Sequence, residues 1–123
     1  MERKKQAVEL KKHMNCCQAV LCAYADKVDL PMETLKKIGS AFGGGMGAMK
    51  GNCGALCGAE LVLGLLKSEG GRIHKPSAAL YDSFEKKCGS TICKELKGVE
   101  TGTVLCSCED CVRNAVIALE ELL

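Results

Sequence analysis

The sequence predicts an all-α protein, a single-domain bundle of about five to six helices with a glycine-rich loop. Apolar residues recur at helical spacing along most of the chain, and capping residues precede several of those segments. No alternating apolar–polar stretch is longer than residues 101–106. A chain of 123 residues can bury one core without a second domain, so we expect residues 1–123 to form a single cysteine-rich domain.

The first third of the chain contains three predicted helices. Residues 2–12 are mostly charged and indicate a short, solvated helix. Asn15 and Gln18 have the spacing of a capping box, which predicts a helix over residues 15–29 that stops before Pro31. Residues 31–38 fit another short helix.

The middle of the chain combines the most flexible and the most apolar segments. Glycines between positions 39 and 51 argue against regular structure there. Asn52 can cap a helix over residues 53–68, whose interior carries Glu60 as its one charge, so we expect this helix to be the most buried. Three glycines within it would let neighbouring backbones approach closely: Gly54, Gly58 and Gly64.

The last third contains three more helical segments. Pro76 suits the first turn of a helix that ends at Gly89, and residues 90–96 fit a short helix. Ser107 then opens a capping pattern for a final helix that extends to the end of the chain.

Composition excludes two classes of function. The charges nearly balance, with 17 basic and 15 acidic residues, so the footprint of a nucleic-acid-binding protein is absent. No uncharged run reaches the roughly 18 residues that a membrane-spanning helix needs. We also expect no secretory leader, because Asn15 and Gln18 interrupt the apolar segment that one would require. The expected location is the cytoplasm, where ten cysteines indicate metal or redox chemistry.

Half of the cysteines fall in the first turn of a predicted helix. The unpaired amides and the helix dipole at that position favour a thiolate, which is both the nucleophile and the metal ligand. Several helix starts that converge would also offset repulsion between neighbouring thiolates, an arrangement that suits a soft cation or a cluster. These cysteines are Cys16, Cys53, Cys93, Cys108 and Cys111.

The other cysteines carry weaker signals. Buried free cysteine often serves as a small apolar residue, and we favour that reading for Cys17 and Cys22. Cys57 lies one turn after Cys53 and could share an ion with it, while Cys88 at a helix end is ambiguous. The Cys106-x-Cys108-x-x-Cys111 spacing is compatible with metal binding, but no histidine pair or second cysteine knuckle accompanies it, so a zinc finger is not predicted.

Residues 52–58, Asn-Cys-Gly-Ala-Leu-Cys-Gly, resemble the core motif of the small bacterial C_GCAxxG_C_C family, which is described as redox-active. Residues 15–20 resemble the first cysteine block of that family and residues 89–96 the third. Cys111 and Val112 resemble the fourth. The likeness covers about residues 7–123.

The resemblance implies that Cys16, Cys53, Cys93 and Cys111 are the hallmark set. It also implies an iron–sulfur cluster and electron transfer to a redox partner protein, since similar segments occur fused to electron carriers that have such a centre. The additional thiols, Cys57 and Cys108 above all, stay secondary candidates for metal ligation. An enzymatic activity is left open.

Two other functions compete with the cluster. One is metal-free thiol–disulfide chemistry, for which Cys53 with a thiol of another helix is the best dithiol. The other is a structural zinc site in an interaction module. The Gly-x-Gly-x-x-Ala match at residues 43–48 follows no strand and does not predict a nucleotide site, and His13 and His74 are expected at the surface.

Overall fold

The computed structural model describes residues 2–123, and within that range it contains nine helical elements and no strand. The all-α prediction is confirmed, although the helices outnumber the five to six expected. In chain order they are α1 (Arg3–Lys11), α2 (Cys16–Ala23), α3 (Ala25–Val28), α4 (Met32–Gly39), a π-helical turn (Gly45–Met49), α5 (Gly54–Lys67), α6 (His74–Cys88), α7 (Cys93–Leu96) and α8 (Cys108–Glu120).

Two local features add one element each to the seven helical segments predicted along the chain. The predicted helix over residues 15–29 is broken at Tyr24, whose φ of −105° and ψ of 14° separate α2 from α3. The glycine-rich stretch, expected to lack regular structure, forms the turn at Gly45–Met49, which closes with a π-type hydrogen bond although Met46 and Gly47 have non-helical dihedral angles. Left-handed φ angles at Gly44, Gly45 and Gly47 make that tight turn possible.

The centre of the core lies between α2 and α5. The backbones approach so closely that a Cβ atom on Gly58 would lie 2.7 Å from the carbonyl oxygen of Cys17. This contact confirms the role predicted for Gly58, and Gly54 likewise faces the start of α2. The same expectation for Gly64 was wrong, because nothing lies within 4 Å of a Cβ atom placed there.

The remaining long helices surround this pair. α1 packs on α2 and α8, and α8 also contacts α5 and α6. This arrangement brings the first residues of α2, α5 and α8 together at one end of the bundle, as their thiol contacts show. None of the helices described in residues 2–123 has the length and apolar character needed to cross a membrane.

Candidate functional site: a network of cysteine thiols

Cys16 is the first residue of α2, and a capping box fixes the start of that helix. The side-chain oxygen of Asn15 accepts the backbone N–H of Gln18 at 2.8 Å, and the Gln18 side chain accepts the N–H of Asn15 at 3.0 Å. The predicted capping box is therefore confirmed. First-turn amides have no partner within a helix and favour a negatively charged sulfur, but at Cys16 the contact with Cys108 and burial outweigh them and raise the pKa.

Cys53 and Cys93 are held side by side by backbone hydrogen bonds between two loops. The N–H of Cys53 donates to the carbonyl of Thr91 at 2.7 Å, and the N–H of Cys93 donates to the carbonyl of Gly51 at 3.1 Å. Asn52 pairs with Ile92 in an isolated antiparallel bridge. The expectation that Asn52 caps α5 was wrong: Cys53 is itself the N-cap residue, and no side chain caps the helix.

The glycine-rich loop packs directly on Cys93. Gly45 adopts a φ of +61°, and a Cβ atom there would lie 2.6 Å from the Cβ atom of Cys93 and 3.2 Å from the carbonyl oxygen of Gly51. Only glycine fits this position without displacing a neighbour. The loop therefore supports a thiol, and that thiol belongs to Cys93, whereas the sequence led us to expect the loop to present Cys53.

Cys108 opens α8, where Ser107 is the cap. The Ser107 hydroxyl accepts the backbone N–H of Asp110 at 3.1 Å, as the capping pattern predicted. The Cys108 thiol contacts the thiol of Cys16, so the starts of α2 and α8 meet through their sulfur atoms.

Four thiols are linked in pairs, by one contact and by the effects of their charges, and we call this set the four-thiol ring. Its members are Cys16, Cys53, Cys93 and Cys108. Cys16 contacts Cys108 and lies within electrostatic range of Cys53. Cys93 lies within electrostatic range of both Cys53 and Cys108. Three of the four hallmark cysteines, Cys16, Cys53 and Cys93, are thus together, and the fourth, Cys111, touches the ring through its contact with Cys53.

The ring thiols influence one another's protonation. The hydrogen bond with Cys108, followed by burial, raises the pKa of Cys16 far above its usual range, while the same bond and the charge of Lys97 lower the pKa of Cys108. Contact with Cys111 and burial raise the pKa of Cys53, and burial and the charge of Cys53 raise the pKa of Cys93. Adjacent thiolates repel, so the ring can become fully deprotonated only with a cation to offset the charge.

Lys97 supplies one positive charge to the network. Its Nζ atom donates to the Sγ atom of Cys111 at 3.4 Å and to the carbonyl oxygen of Cys106 at 3.3 Å. Burial would lower the pKa of Lys97, but the charges of Cys111 and Cys108 outweigh burial and raise it. The side chain is therefore a stable ammonium beside the sulfur atoms.

A second group of thiols, which we call the buried triad, adjoins the ring. Its members are Cys88 at the end of α6, Cys106 in the loop before α8, and Cys111 in α8. Their sulfur atoms all lie within 4.8 Å of one another, a spacing at which one metal ion could bind all three. The contact with Cys53 lowers the pKa of Cys111, but the contact with Cys88 and burial outweigh it, so the net shift is upward.

The other predicted candidates lie at or beyond the edge of the network. Cys57 is half-buried, directs its thiol toward the carbonyl of Asn52 at 3.9 Å, and has a pKa raised to about 11 by burial and by Cys53. Cys17 and Cys22 are buried in the core, as expected, and burial raises the pKa of Cys17 to about 12. Two histidines are exposed, in line with their expected surface positions: His13 and His74.

The triad is the feature that the sequence did not reveal. Cys106 and Cys111 are separated by five positions, and this spacing was the available signal for metal binding. Cys88, however, comes from a different helix, and nothing in its own surroundings in the sequence connects it to the other two. Its role depends on how α6 packs against α8, which is a tertiary relationship.

Comparison with known proteins places the chain in a family that is defined by cysteines. A family described as "Putative redox-active protein (C_GCAxxG_C_C)" matches residues 14–122, nearly the whole chain. No curated protein and no solved structure matches the chain. The family match spans every cysteine of the network, and the chain belongs to the C_GCAxxG_C_C family of redox-active proteins.

Proposed function

We propose that this protein carries electrons through an iron–sulfur cluster bound by the four-thiol ring. One observation carries the proposal: four thiols from four separate segments are linked in pairs by contact or by charge, and three of them have raised pKa values that a bound cation would reverse. Four cysteine thiolates are the usual ligand set of small iron–sulfur clusters. Such a cluster supplies one-electron transfer.

The protein's own residues are suited to holding a cluster. The starts of α2 and α8 direct helix dipoles toward Cys16 and Cys108, and Lys97 adds an ammonium group near the ring. Cys53 and Cys93 are fixed by backbone hydrogen bonds, so two of the four sulfur atoms have rigid supports. Cys108 takes the place that the family resemblance gives to Cys111, which makes Cys111 the alternative fourth ligand.

We further propose that the protein works in the cytoplasm and exchanges electrons with a partner redox protein. All ten cysteines are free thiols, which is the state that a reducing compartment maintains.

The decisive experiment is purification under anaerobic conditions, followed by visible spectroscopy and analysis of iron and acid-labile sulfide. We expect a coloured protein with iron and sulfide in equal amounts. The Cys53→Ser variant should lose both, whereas Cys22→Ser, which changes a core thiol 1% exposed and outside the network, should keep both. Comparison of Cys108→Ser with Cys111→Ser then identifies the fourth ligand. A colourless wild-type protein that contains stoichiometric zinc would contradict the proposal.

One observation favours a second candidate, metal-free thiol–disulfide exchange at Cys16 and Cys108. Both thiols are half-buried and in contact, and the pKa of Cys108 is lowered. The Cys108 thiolate would attack a substrate disulfide and release one substrate thiolate. Cys16 would then displace the second, leaving a Cys16–Cys108 disulfide and a substrate reduced by two electrons. Metal-free protein whose free-thiol count falls by two on oxidation, in wild type and not in Cys16→Ser, would support this candidate.

A further inference from the structure

The buried triad shares no residue with the four-thiol ring, although Cys111 contacts Cys53, and it differs from the ring chemically. Its three sulfur atoms come from α6, the loop after α7, and α8, and the residues are 4%, 7% and 0% exposed for Cys88, Cys106 and Cys111. Water is therefore kept away from any ion that they bind. A ligand site closed to water must find its full coordination among protein atoms.

Each sulfur atom of the triad receives an N–H donor. The side-chain amide of Asn114 donates to the Sγ atom of Cys88 at 3.5 Å and to that of Cys106 at 3.9 Å. Lys97 donates to the Sγ atom of Cys111 at 3.4 Å. Donors of this kind stabilise thiolates, and second-shell hydrogen bonds orient metal ligands. Cysteines that only fill space in a core have no need of them.

The dimensions of the triad fit a small ion that is bound by three sulfur atoms. Because every sulfur pair is within 4.8 Å, an ion at the centre of the three sulfur atoms would be at most about 2.8 Å from each of them. Small inward movements of the cysteine side chains would shorten these distances to the roughly 2.3 Å of a metal–thiolate bond. Among residues 2–123, no fourth Cys, His, Asp or Glu ligand atom completes the group. Structural zinc takes four ligands, so three sulfur atoms in a dry pocket suit it poorly.

We infer that Cys88, Cys106 and Cys111 form a three-coordinate thiolate site for copper(I). Soft thiolates select this ion, and a closed-shell monovalent cation accepts three sulfur ligands without water. Three thiolates and one copper(I) leave a charge of −2, and the Lys97 ammonium halves it. The site goes beyond the proposed cluster, and it rests on Cys108 as the fourth cluster ligand, because Cys111 would then be left for copper(I).

The test is an anaerobic titration of metal-free protein with copper(I) against a competing chelator. Because ring thiols also bind soft ions, the titration uses the full chain with Cys16→Ser and Cys93→Ser, which removes half of the ring and leaves the triad intact. We expect one tight equivalent of copper(I), and X-ray absorption should show three sulfur neighbours.

Variants in that background assign the ligands. Cys106→Ser, in a loop, should weaken copper(I) binding by more than about 100-fold, since even second-shell changes cost 10–100-fold. Asn114→Leu should weaken it by roughly 10-fold or more. Cys22→Ser is the matched buried control and should bind as tightly as the parent. Circular dichroism checks that each variant is folded.

Three results would overturn the inference. The first is undiminished copper(I) affinity in folded Cys106→Ser, and the second is an X-ray absorption spectrum that shows only two sulfur neighbours around copper. The third is tighter binding of zinc than of copper(I) in the same background. Loss of iron and sulfide from Cys53→Ser with intact copper(I) binding would show that the two sites are independent. Failure of the cluster proposal alone leaves the copper(I) titration fully interpretable.

Discussion

The ammonium group of Lys97 lies 3.4 Å from the sulfur of Cys111, at the junction of the four-thiol ring and the buried triad. Its charge also acts on Cys108 and Cys53. The charge of Lys11 acts on two of the thiols, Cys16 and Cys108, whereas that of Lys97 acts on four. Lys97 is therefore the basic residue with the widest influence on the proposed redox site.

We expect Lys97→Met to lower the reduction potential of the proposed cluster by roughly 60 mV. Reduction adds negative charge, which the ammonium stabilises, and loss of about 1.4 kcal/mol of that stabilisation is about 59 mV for one electron. Lys97→Arg keeps the charge and should recover most of the difference. The measurement is a redox titration followed by visible absorption. Equal reduction potentials in the Lys97→Met and wild-type proteins would show that Lys97 does not stabilise the reduced state.

Short-range sequence patterns predicted the structure well where the stabilising contacts join residues that are close in the sequence. The cap at Ser107 and the capping box at Asn15 involve residues three positions apart, and both are present. Asn52 failed as a cap because its backbone pairs with Ile92, forty positions away. That pairing is stabilised by contacts between loops, and no local pattern reports it.

The candidate site likewise combines features that short-range sequence patterns predict with features that depend on distant contacts. Placement at helix starts predicted a shared site for five cysteines, because amides and dipoles act within one turn: Cys16, Cys53, Cys93, Cys108 and Cys111. It could not separate the ring from the triad. Cys108 and Cys111 both lie in the first turn of α8, yet their sulfur atoms have different neighbours, Cys16 for the first and Cys53 and Cys88 for the second.

Replacement of Gly45 tests the support of Cys93 by the glycine-rich loop. Gly44 and Gly45 have nearly the same φ, 64° and 61°, so an added Cβ costs both about 1 kcal/mol of backbone strain. Only at Gly45 does that Cβ meet Cys93, 2.6 Å from its Cβ atom, whereas nothing lies within 4 Å at Gly44. We therefore expect Gly45→Ala to lower the free energy of unfolding by about 2 kcal/mol more than Gly44→Ala does.

The free energy of unfolding in urea gives the first readout, and metal content gives the second. Gly45→Ala should also reduce iron loading, because it displaces a ring thiol, and Gly44→Ala should not. Indistinguishable stability and loading in the two variants would mean that the loop does not position Cys93.

The two capped helices at the site allow a comparison of cap strength. Asn15 takes part in a reciprocal capping box, and its amide also donates to the carbonyl of Gly39 at 3.2 Å, whereas Ser107 makes a single cap hydrogen bond. We expect Asn15→Ala to destabilise the metal-free protein by about 2 kcal/mol and Ser107→Ala by about 1 kcal/mol. Urea unfolding under reducing conditions measures both, and the reverse order would contradict the structural assignment.

Tyr24 carries a phenol whose burial should be visible at high pH. The residue is 2% exposed, and its hydroxyl has no hydrogen-bond partner among residues 2–123. Burial, followed by the charge of Glu120, raises the pKa of Tyr24 to about 12. An unsatisfied buried hydroxyl is costly, so Tyr24→Phe should stabilise the protein by roughly 1 kcal/mol at neutral pH.

The sign of the pH effect follows from the raised pKa. In the unfolded chain the phenol loses its proton near pH 10, while in the folded protein it keeps the proton until about pH 12. Over that interval the unfolded state binds fewer protons, so stability is full below pH 10 and falls as pH rises toward 12, by up to about 2 kcal/mol. Tyr24→Phe should lack this loss. Urea unfolding of both proteins from pH 8 to 12, with reductant present, isolates the phenol, because lysines and thiols are common to the pair. Parallel stability curves would show that Tyr24 ionises as freely in the folded protein as in the unfolded chain.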